Sequence, residues 1–376
     1  MYISEFSQME EFIARARAEK VVAVDTEFIR EKTFHPRLCL IQIGTSQETA
    51  AIDPLLIEDL TPVAELLADE SVVKIFHACG QDLEVIDYAL GVVVHPIFDT
   101  QIAAAFLGHR MQMGYGALVE AYTNVHLPKA ASLTDWSRRP LDGEQMEYAE
   151  DDVRYLPRIY QEMTKMLIAQ NRLGWVMPEI ESLCNPQHWR MAPREAYKRL
   201  KRSNSLTRKQ LSVAREVCAW RDSMADARDI PRKWVLSDET VVEICKSAPS
   251  TMHKLQRIRG TEQLSSLDCE EICKAVSIGV QCLPHDMPAI QRKPRPSSNM
   301  ESVLDLMYAM VRVVAEKSGV ATQLISTRDD LYEFATHPQK SSLSQGWRYD
   351  LVGKQLQALL DGQTGLTVKD GRIELL

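Results

Sequence analysis

Apolar residues in the first half of the chain form short runs separated by longer amphipathic stretches. The short runs, rich in aliphatic and β-branched residues, predict strands at 21–28, 37–44, 50–52 and 72–76. Segments with helical periodicity predict helices at 4–20, 61–69, 81–89, 101–107 and 118–122. Strands that alternate with helices in this way indicate an α/β domain with a mixed central sheet, whose first strands are antiparallel.

Individual residues predict where some helices begin and bend. Ser7, with Glu10 three residues later, has the spacing of a capping box for the first helix. Asp99 precedes the helix at 101–107 and is expected to cap it. A long helix is expected at 143–166, and Pro157 within it predicts a kink or a short break because proline lacks a backbone N–H.

The pattern of strands stops after Pro178, and the rest of the chain is predicted to be helical. Amphipathic segments at 207–227, 238–246, 251–257 and 261–279 indicate one all-α domain. A proline-rich basic stretch at 283–299 predicts a linker. A third helical segment follows and faintly repeats the second at an offset of roughly ninety residues. The expected domains are therefore 1–178, 205–283 and 300–376.

Composition limits the cellular setting and excludes some classes of protein. The chain has 376 residues, a net charge of −8 and eight cysteines without a C-x-x-C pair. We expect no secretory signal, no membrane span and a cytoplasmic location with reduced cysteines. Cys269 and Cys273 lack a second ligand pair for zinc. A P-loop helicase is excluded, because Gly353-Lys354 is followed by Gln355 rather than Ser or Thr.

Two acidic residues lie at the end of the first buried strand. Asp25 and Glu27 are two residues apart, so both side chains point to the same face of the strand. Two adjacent carboxylates repel each other, and a divalent cation with a preference for oxygen ligands, such as Mg²⁺ or Mn²⁺, would remove that cost. The alternative is a strand end that happens to be acidic.

Two further acidic positions occur at helices later in the chain. Asp82 lies in the first turn of the helix after strand 72–76, where the helix dipole favours a carboxylate whether or not it has a function. Tyr148 and Asp152 are four residues apart and share one helix face. The Glu150–Asp152 run also fits a solvated acidic face.

Several short motifs occur in a fixed order along the first domain. They are DTEF at 25–28, RLCLIQI at 37–43, IDPL at 52–55, HACGQDLEV at 77–85, FDTQIAAAF at 98–106, TDWSRRPL at 134–141 and YAEDD at 148–152. Together they resemble the DEDD superfamily of 3′→5′ exonucleases, in the subgroup that has a tyrosine four residues before the last aspartate. Within that superfamily the chain resembles the ribonuclease D family.

The resemblance implies a ribonuclease H-like exonuclease domain and a set of site residues. It assigns the metal-binding carboxylates to Asp25, Glu27, Asp82 and Asp152, and the water-orienting role to Tyr148. Two divalent metal ions, Mg²⁺ or Mn²⁺, would then activate water and stabilise the leaving 3′-oxygen. Substrate contacts are expected from two further residues, Phe28 and His77. Phe28 would stack on a base or fill the core, and His77 would contact the terminal nucleotide or cap a turn.

The second half resembles the helicase and RNase D C-terminal (HRDC) module, and residues 206–239 carry this resemblance. The resemblance implies two such all-α modules. From Arg190 to Lys209 there are eight Lys or Arg residues and one acidic residue. Lys198, Arg199 and Arg202 are therefore expected to contact the RNA backbone, or else to form a solvated helix face.

The resemblance also implies the reaction and its substrate. The expected function is hydrolysis of RNA with a free 3′ end, releasing 5′-monophosphates, with transfer RNA precursors as substrates. Two alternatives remain: a nucleic-acid-binding adaptor with a vestigial acidic site, and a DNA exonuclease. Preference for a ribose 3′ end separates the last from an exoribonuclease.

Overall fold

The computed structural model describes residues 1–128, 134–290 and 296–376. Two compact units divide the chain. The first comprises Met1–Glu27, Leu38–Asn185 and the described residues from 296 to 376, and the second comprises Phe28–Arg37 and the described residues from 186 to 290. Parts of the predicted connection at 129–141 and of the linker at 283–299 lie outside the described residues.

The first unit is built on a six-stranded mixed sheet with the strand order β1-β4-β3-β2-β5-β6. The strands are β1 (Tyr2–Ile3), β2 (Val21–Ile29, whose last two residues belong to the second unit), β3 (Arg37–Gly44), β4 (Thr49–Ile52), β5 (Val73–Phe76) and β6 (Ile97–Asp99). Strand β3 pairs antiparallel with β4, whereas β2 pairs parallel with β5 and β5 with β6. The mixed sheet with an antiparallel start is therefore as expected.

Helices cover this sheet and bury its apolar side chains. They are α1 (Phe6–Ala18), α2 (Thr61–Ala68), α3 (Gly80–Leu90), α4 (Thr100–Phe106), α5 (Tyr115–Thr123), α6 (Gly143–Arg154), α7 (Leu156–Ala169) and α8 (Leu173–Leu183). Asp99 caps α4 as predicted, accepting from the backbone N–H of Gln101 at 2.8 Å and of Ile102 at 3.0 Å. The helix predicted at 143–166 is divided at Tyr155, two residues before Pro157.

One expectation about this unit is wrong, and two of its features were not predicted. Ser7 does not cap α1, because the helix begins at Phe6 with Glu5 at the cap position. The domain end at 178 falls inside α8, where Pro178 is tolerated, and the unit continues to Asn185. Strand β1 has only two residues, too few for a periodic signal, and was not predicted.

The chain after residue 296 belongs to the first unit. It contains α14 (Ser298–Ser318), α15 (Thr322–Ile325), α16 (Arg328–Thr336), α17 (Gly346–Arg348) and α18 (Lys354–Leu360), followed by β7 (Leu366–Lys369) and β8 (Arg372–Leu375). Short 3₁₀ turns lie at Pro338–Lys340 and Ser342–Ser344, and a π-helical turn lies at Tyr349–Gly353. The segment thus contains two strands, whereas the sequence predicts only helices there. Asp370 and Gly371 both have positive φ, which forms the tight turn of a hairpin.

Side chains from α8 attach this C-terminal segment to the first unit. The Trp347 ring stacks on Trp175 with 5.7 Å between centroids and meets Phe106 edge-on at 5.0 Å. Arg348 forms an ion pair with Glu179, and Trp347 donates its indole N–H to the same carboxylate at 3.0 Å. The segment therefore packs against α4 and α8.

The second unit is a helical bundle. It contains α9 (Arg208–Ala227), α10 (Arg232–Val235), α11 (Asp238–Ser247), α12 (Met252–Leu255) and α13 (Ser266–Val280), with 3₁₀ turns at Pro186–His188, Pro193–Arg199 and Ser203–Ser205. Capping boxes start α9 at Thr207 and α13 at Ser265. A Cβ on Gly279 would lie 2.4 Å from the Cα of Val213, so glycine permits the close packing of α13 on α9.

The cysteines of the chain are free thiols. All eight cysteines lie among the described residues, and none of them forms a disulfide there. Cys269 is fully buried and packs in the apolar core of the second unit. Over the described ranges, no helix has both the length and the apolar character needed to cross a membrane.

Candidate active site

Three carboxylates of the first unit converge near the end of β2. Oxygen atoms of Asp25, Glu27 and Asp152 all lie within 4.8 Å of one another. Asp25 and Glu27 project from the same face of β2, and Asp152 comes from the last turn of α6. The fold therefore brings together residues that lie more than a hundred positions apart in the sequence. A metal site formed by all three carboxylates requires this proximity.

Asp82 reaches the same region from α3. Its carboxylate accepts a hydrogen bond from the Thr26 hydroxyl at 2.5 Å, and the side chain is 8 % exposed. It lies outside the group formed by the other three carboxylates, although its charge contributes to raising the pKa of Asp25. Thr26, the middle residue of the D-T-E motif, thus restrains the fourth acidic side chain.

Helix α6 presents Tyr148 and Asp152 on one face. Asp142 begins this helix in a capping box with Gln145. The Tyr148 hydroxyl hydrogen-bonds to the Asp152 carboxylate, and its ring lies 5.9 Å from that of the buried Trp136. A Cβ on Gly44 would lie 2.7 Å from the carbonyl oxygen of Val153. Glycine at this position of β3 therefore allows the last turn of α6 to approach the sheet.

Burial and mutual repulsion raise the pKa values of the clustered carboxylates. Burial is the main cause at each position. It raises the pKa of Glu27 to about 8, together with the charges of Asp152 and Asp82. It raises the pKa of Asp152 to about 7 and that of Asp82 to about 6. The pKa of Asp25 is also raised well above its ordinary value, by burial and then by the charges of Asp82, Asp152 and Glu27.

The cluster has the properties of a site for hard cations. Within the described residues, oxygen Oδ2 of Asp152 is buried and has no hydrogen-bond partner. Among the described residues, no positively charged side chain contributes to the raised pKa of Asp25 or Glu27. A buried anionic group without a partner is costly, and carboxylate oxygens are the ligands that Mg²⁺ and Mn²⁺ prefer. The residues present therefore fit divalent metal ions.

A cavity of about 690 Å³ lies beside Tyr148 and Asp152. Its wall combines aromatic and apolar side chains with acidic ones. The other lining residues are Tyr115, Gly116, Leu127, Pro128, Thr134, Trp136, Asp142, Glu144, Gln145, Glu147 and Asp151. Space for a nucleotide-sized group is thus available next to the carboxylates.

The neighbouring acidic residues Glu150 and Asp151 are bound elsewhere. Glu150 pairs with Arg154 at 2.8 Å and with the amino terminus at 2.6 Å. Asp151 lies 2.9 Å from Arg154. Of the three acidic residues in this run, Asp152 alone belongs to the carboxylate group.

His77 is half-buried, with protein partners at both ring nitrogens. Nε2 lies 2.9 Å from the carbonyl oxygen of Met113, and Nδ1 lies 3.0 Å from the Thr100 hydroxyl. These contacts favour the structural alternative for His77 over a nucleotide contact through its nitrogens. Phe28 is half-buried, which agrees with either alternative that the sequence left open.

Arg139 has a structural role that the sequence did not indicate. This arginine forms an ion pair with the fully buried Asp53. It also donates to the carbonyl oxygens of Cys39 at 2.7 Å and Trp136 at 2.8 Å. The IDPL and TDWSRRPL motifs therefore bind each other and hold the segment that leads into α6.

The predicted basic residues lie in the second unit. Lys198 is exposed and pairs with Glu195, and Arg199 donates to the carbonyl oxygen of His188 at 3.2 Å. Arg202 is exposed, in the left-handed backbone region with φ of 63°. Arg199 and four other cationic side chains line a cavity of about 310 Å³ together with three carboxylates; the other cations are Lys201, Arg221, Arg232 and Lys233.

Comparisons with known proteins agree with this arrangement. A family model described as 3′-5′ exonuclease matches residues 1–168, and the HRDC domain model matches residues 210–274. The ribonuclease D of Nitrobacter hamburgensis is 37 % identical over 376 residues, covering 99 % of this chain and 98 % of that protein. The ribonuclease D of Sphingobium indicum is 36 % identical over 382 residues, covering 99 % and 97 %.

The chain belongs to the ribonuclease D family. The crystal structure of Escherichia coli RNase D superposes with a TM-score of 0.83 at 28 % identity, covering 96 % of this chain and 98 % of that one. As a member of the ribonuclease D family, the protein is a hydrolytic 3′→5′ exoribonuclease with an exonuclease domain followed by a helical HRDC domain.

Proposed function

We propose that this ribonuclease D hydrolyses the 3′ ends of transfer RNA precursors in the cytoplasm, using two divalent metal ions. Asp25, Glu27, Asp82 and Asp152 would hold the metals. The observation that carries this proposal is the group of three half-buried carboxylates within 4.8 Å of one another, with a fourth restrained beside them. Without a bound cation, such a group of carboxylates lowers the stability of the folded protein. Metal-assisted hydrolysis is a reaction that requires carboxylates in this arrangement.

Each carboxylate has a distinct part in this proposal. The charges of Asp82, Asp152 and Glu27 all act on Asp25, so this central carboxylate would be the ligand shared by both metals. Glu27 and Asp152 would complete the side that holds the attacking water, and Asp82 would serve the leaving-group side. Bound metal ions would supply the positive charge that lowers the pKa of water and stabilises the developing negative charge on oxygen.

Tyr148 would orient the attacking water rather than deprotonate it. Burial, followed by the charges of Asp152, Glu27 and Asp25, raises the pKa of this phenol above its ordinary value of 10. The hydroxyl therefore stays protonated at neutral pH and acts as a hydrogen-bond donor and acceptor. The hydrogen bond to Asp152 fixes the ring orientation that this role needs.

Contacts with RNA are proposed for a second set of residues. Phe28 would stack on the terminal base, and the exposed cations Lys198, Arg199 and Arg202 would bind backbone phosphates. His77 would contribute through its ring face, because both nitrogens already have protein partners. E. coli RNase D is an exoribonuclease involved in structured RNA processing, which supports a folded RNA such as a transfer RNA precursor as the substrate.

The test is degradation of a 3′-extended transfer RNA precursor labelled at its 5′ end. The full-length protein is incubated with Mg²⁺, with Mn²⁺ or with chelator. We expect a ladder that shortens one nucleotide at a time with either metal, no shortening in chelator, and the loss of at least about 10³-fold in rate for Asp25→Asn. Asp286→Asn is the matched control, since this exposed carboxylate lies outside the cluster, and its rate should stay within about twofold of the parent.

Two outcomes would contradict the proposal. RNA that is bound but not shortened with either metal would favour the adaptor alternative. A matched DNA oligomer shortened as fast as the RNA oligomer would favour a DNA exonuclease, because an exoribonuclease distinguishes the 2′-hydroxyl.

A further inference from the structure

Tyr115 is the first residue of α5 and faces the last turn of α6. Its hydroxyl donates to the main-chain carbonyl oxygen of Asp151 at 2.6 Å. Asp151 directly precedes Asp152, so this hydrogen bond holds the peptide next to a proposed metal ligand. The Tyr115 side chain also lines the cavity beside Tyr148 and Asp152.

A connected set of contacts holds Tyr115 in place from behind. Its ring packs against the His77 ring, with 5.6 Å between centroids. The carbonyl oxygen of Met113, two residues before Tyr115, lies 2.9 Å from Nε2 of His77 and accepts from the Gln101 amide at 3.1 Å. Residues at the end of β5 and in the first turn of α4 therefore fix the loop that leads into α5.

The turn that carries Asp152 needs such support because it is a helix end. Helix α6 ends at Arg154, and α7 begins at Leu156. The last turn of a helix lacks a complete set of intrahelical hydrogen bonds and tends to fray. Repulsion from Asp82 and Asp151 would also favour movement of the Asp152 carboxylate away from the cluster.

We propose that Tyr115 is a positioning residue, which keeps the last turn of α6 in place so that Asp152 reaches the metal ions together with Asp25 and Glu27. This inference rests on the proposed metal-dependent function. Tyr115 itself would touch neither the metals nor the scissile phosphate. Its hydroxyl acts on the main chain of Asp151, and through it on Asp152.

The experiment compares Tyr115→Phe with the parent in the full-length protein. The variant keeps the ring and its contact with His77 and removes only the hydroxyl. Binding of Mn²⁺ to chelator-stripped protein is measured from the electron paramagnetic resonance signal of free Mn²⁺, and kcat and KM for a 3′-extended RNA are measured over a range of Mn²⁺ concentrations. We expect Mn²⁺ affinity to fall about fivefold, the factor for loss of one neutral hydrogen bond.

Two kinetic features would accompany that loss. The KM for RNA should be unchanged at saturating Mn²⁺, and added Mn²⁺ should recover most of the lost kcat. Tyr122→Phe is the matched control, because it removes a phenol hydroxyl from the same helix, 3.3 Å from His109 rather than beside α6. Its Mn²⁺ affinity should equal that of the parent.

The outcomes separate the role of Tyr115 from the metal site itself. Unchanged Mn²⁺ affinity in Tyr115→Phe, or a raised KM for RNA with unchanged Mn²⁺ affinity, would overturn the positioning role. An Asp152→Asn arm tests the function on which it rests. If the parent bound no Mn²⁺, or if Asp152→Asn bound Mn²⁺ as tightly as the parent, the proposed metal site would fail together with the role of Tyr115.

Discussion

Asp25 follows three fully buried residues of β2, and its charged neighbours among the described residues are other carboxylates rather than a cation. Most proteins avoid this arrangement, because a buried charge without an opposite partner opposes folding. Here we propose that the arrangement is the metal-binding site. The same residues that are proposed to bind metal should therefore destabilise the protein when the metal is removed.

The pH dependence of stability tests this conclusion at the residue scale. In the folded protein Asp82, Asp152 and Glu27 have pKa values of about 6, 7 and 8, above the ordinary values of 3.8 and 4.5. The folded state therefore retains protons that the unfolded state releases. The contribution of these groups to the free energy of unfolding should fall as pH rises from about 4 to about 8, and Mg²⁺ should restore stability most at the upper end.

Thermal unfolding in chelator at pH 5.5 and pH 8 measures this dependence. Asp25→Asn removes one of the repelling charges, so we expect it to be more stable than the parent at pH 8, by about 1 kcal/mol or more, with a weaker dependence on pH. The exposed carboxylate variant Asp286→Asn should follow the parent curve. A less stable Asp25→Asn protein at pH 8 would contradict the account.

Site residues with a local or motif signal could be predicted from the sequence. Residues whose role depends on a partner far away in the sequence could not. Asp25 and Glu27 share a strand face, and Tyr148 and Asp152 share a helix face, so simple periodicity groups each pair. Arg139 finds its partner Asp53 86 residues away, and only the folded chain shows that pair. Tyr115 has no motif around it, and its contact with Asp151 depends on how α5 and α6 approach each other.

Among the elements, strands and helices with strong periodicity were predicted within one or two residues of their observed bounds. Strand β3 and helix α9 are examples. The C-terminal hairpin was missed, although Asp370-Gly371 between alternating apolar and polar residues is a strong hairpin signal. The fold of the last segment was inferred from its faint repeat of the preceding domain, and that inference extended helices over residues that form strands.

Attachment of the C-terminal segment to α8 leads to a prediction at the element scale. Trp347 is 8 % exposed and contacts Phe106, Trp175 and Glu179. Trp347→Ala should therefore lower the free energy of unfolding by about 3 kcal/mol, as expected for loss of a large buried aromatic side chain. Chemical denaturation followed by circular dichroism measures this change.

Trp234→Ala is the matched control for that experiment. Trp234 is 49 % exposed, so its removal should change the free energy of unfolding by no more than about 0.5 kcal/mol. Equal effects of the two substitutions would mean that the contact between the C-terminal segment and α8 contributes little to stability.

For the whole molecule, the order of helices repeats between the two parts that follow α8. Helices α14, α15 and α16 begin at residues 298, 322 and 328, each 90 residues after the start of α9, α10 and α11. Ser297 and Thr327 cap the later helices, as Thr207 and Ser237 cap the earlier ones. This agreement supports the proposal of a second, degenerate HRDC-like module. Its assignment to the first compact unit indicates that it has become part of the body that carries the carboxylates.

The second unit, which contains the residues matched by the HRDC model, carries the exposed cations Lys198, Arg199 and Arg202. The salt dependence of RNA binding tests their role. Charge reversal at Lys198, Arg199, Lys201 and Arg202 should weaken binding of a 3′-extended RNA. It should also reduce the slope of log affinity against log salt by about 0.7 for each phosphate of a single strand that the protein no longer neutralises.

Reversal of four other exposed cations of this unit, Lys246, Lys254, Arg257 and Lys274, should leave the slope unchanged. The net charge of −8 makes this comparison informative, since the net charge of the whole chain does not attract RNA. If both sets of reversals reduce the slope equally, RNA is held by the field of the whole unit; if neither does, the segment from Arg190 to Lys209 is a solvated surface and the RNA is held elsewhere.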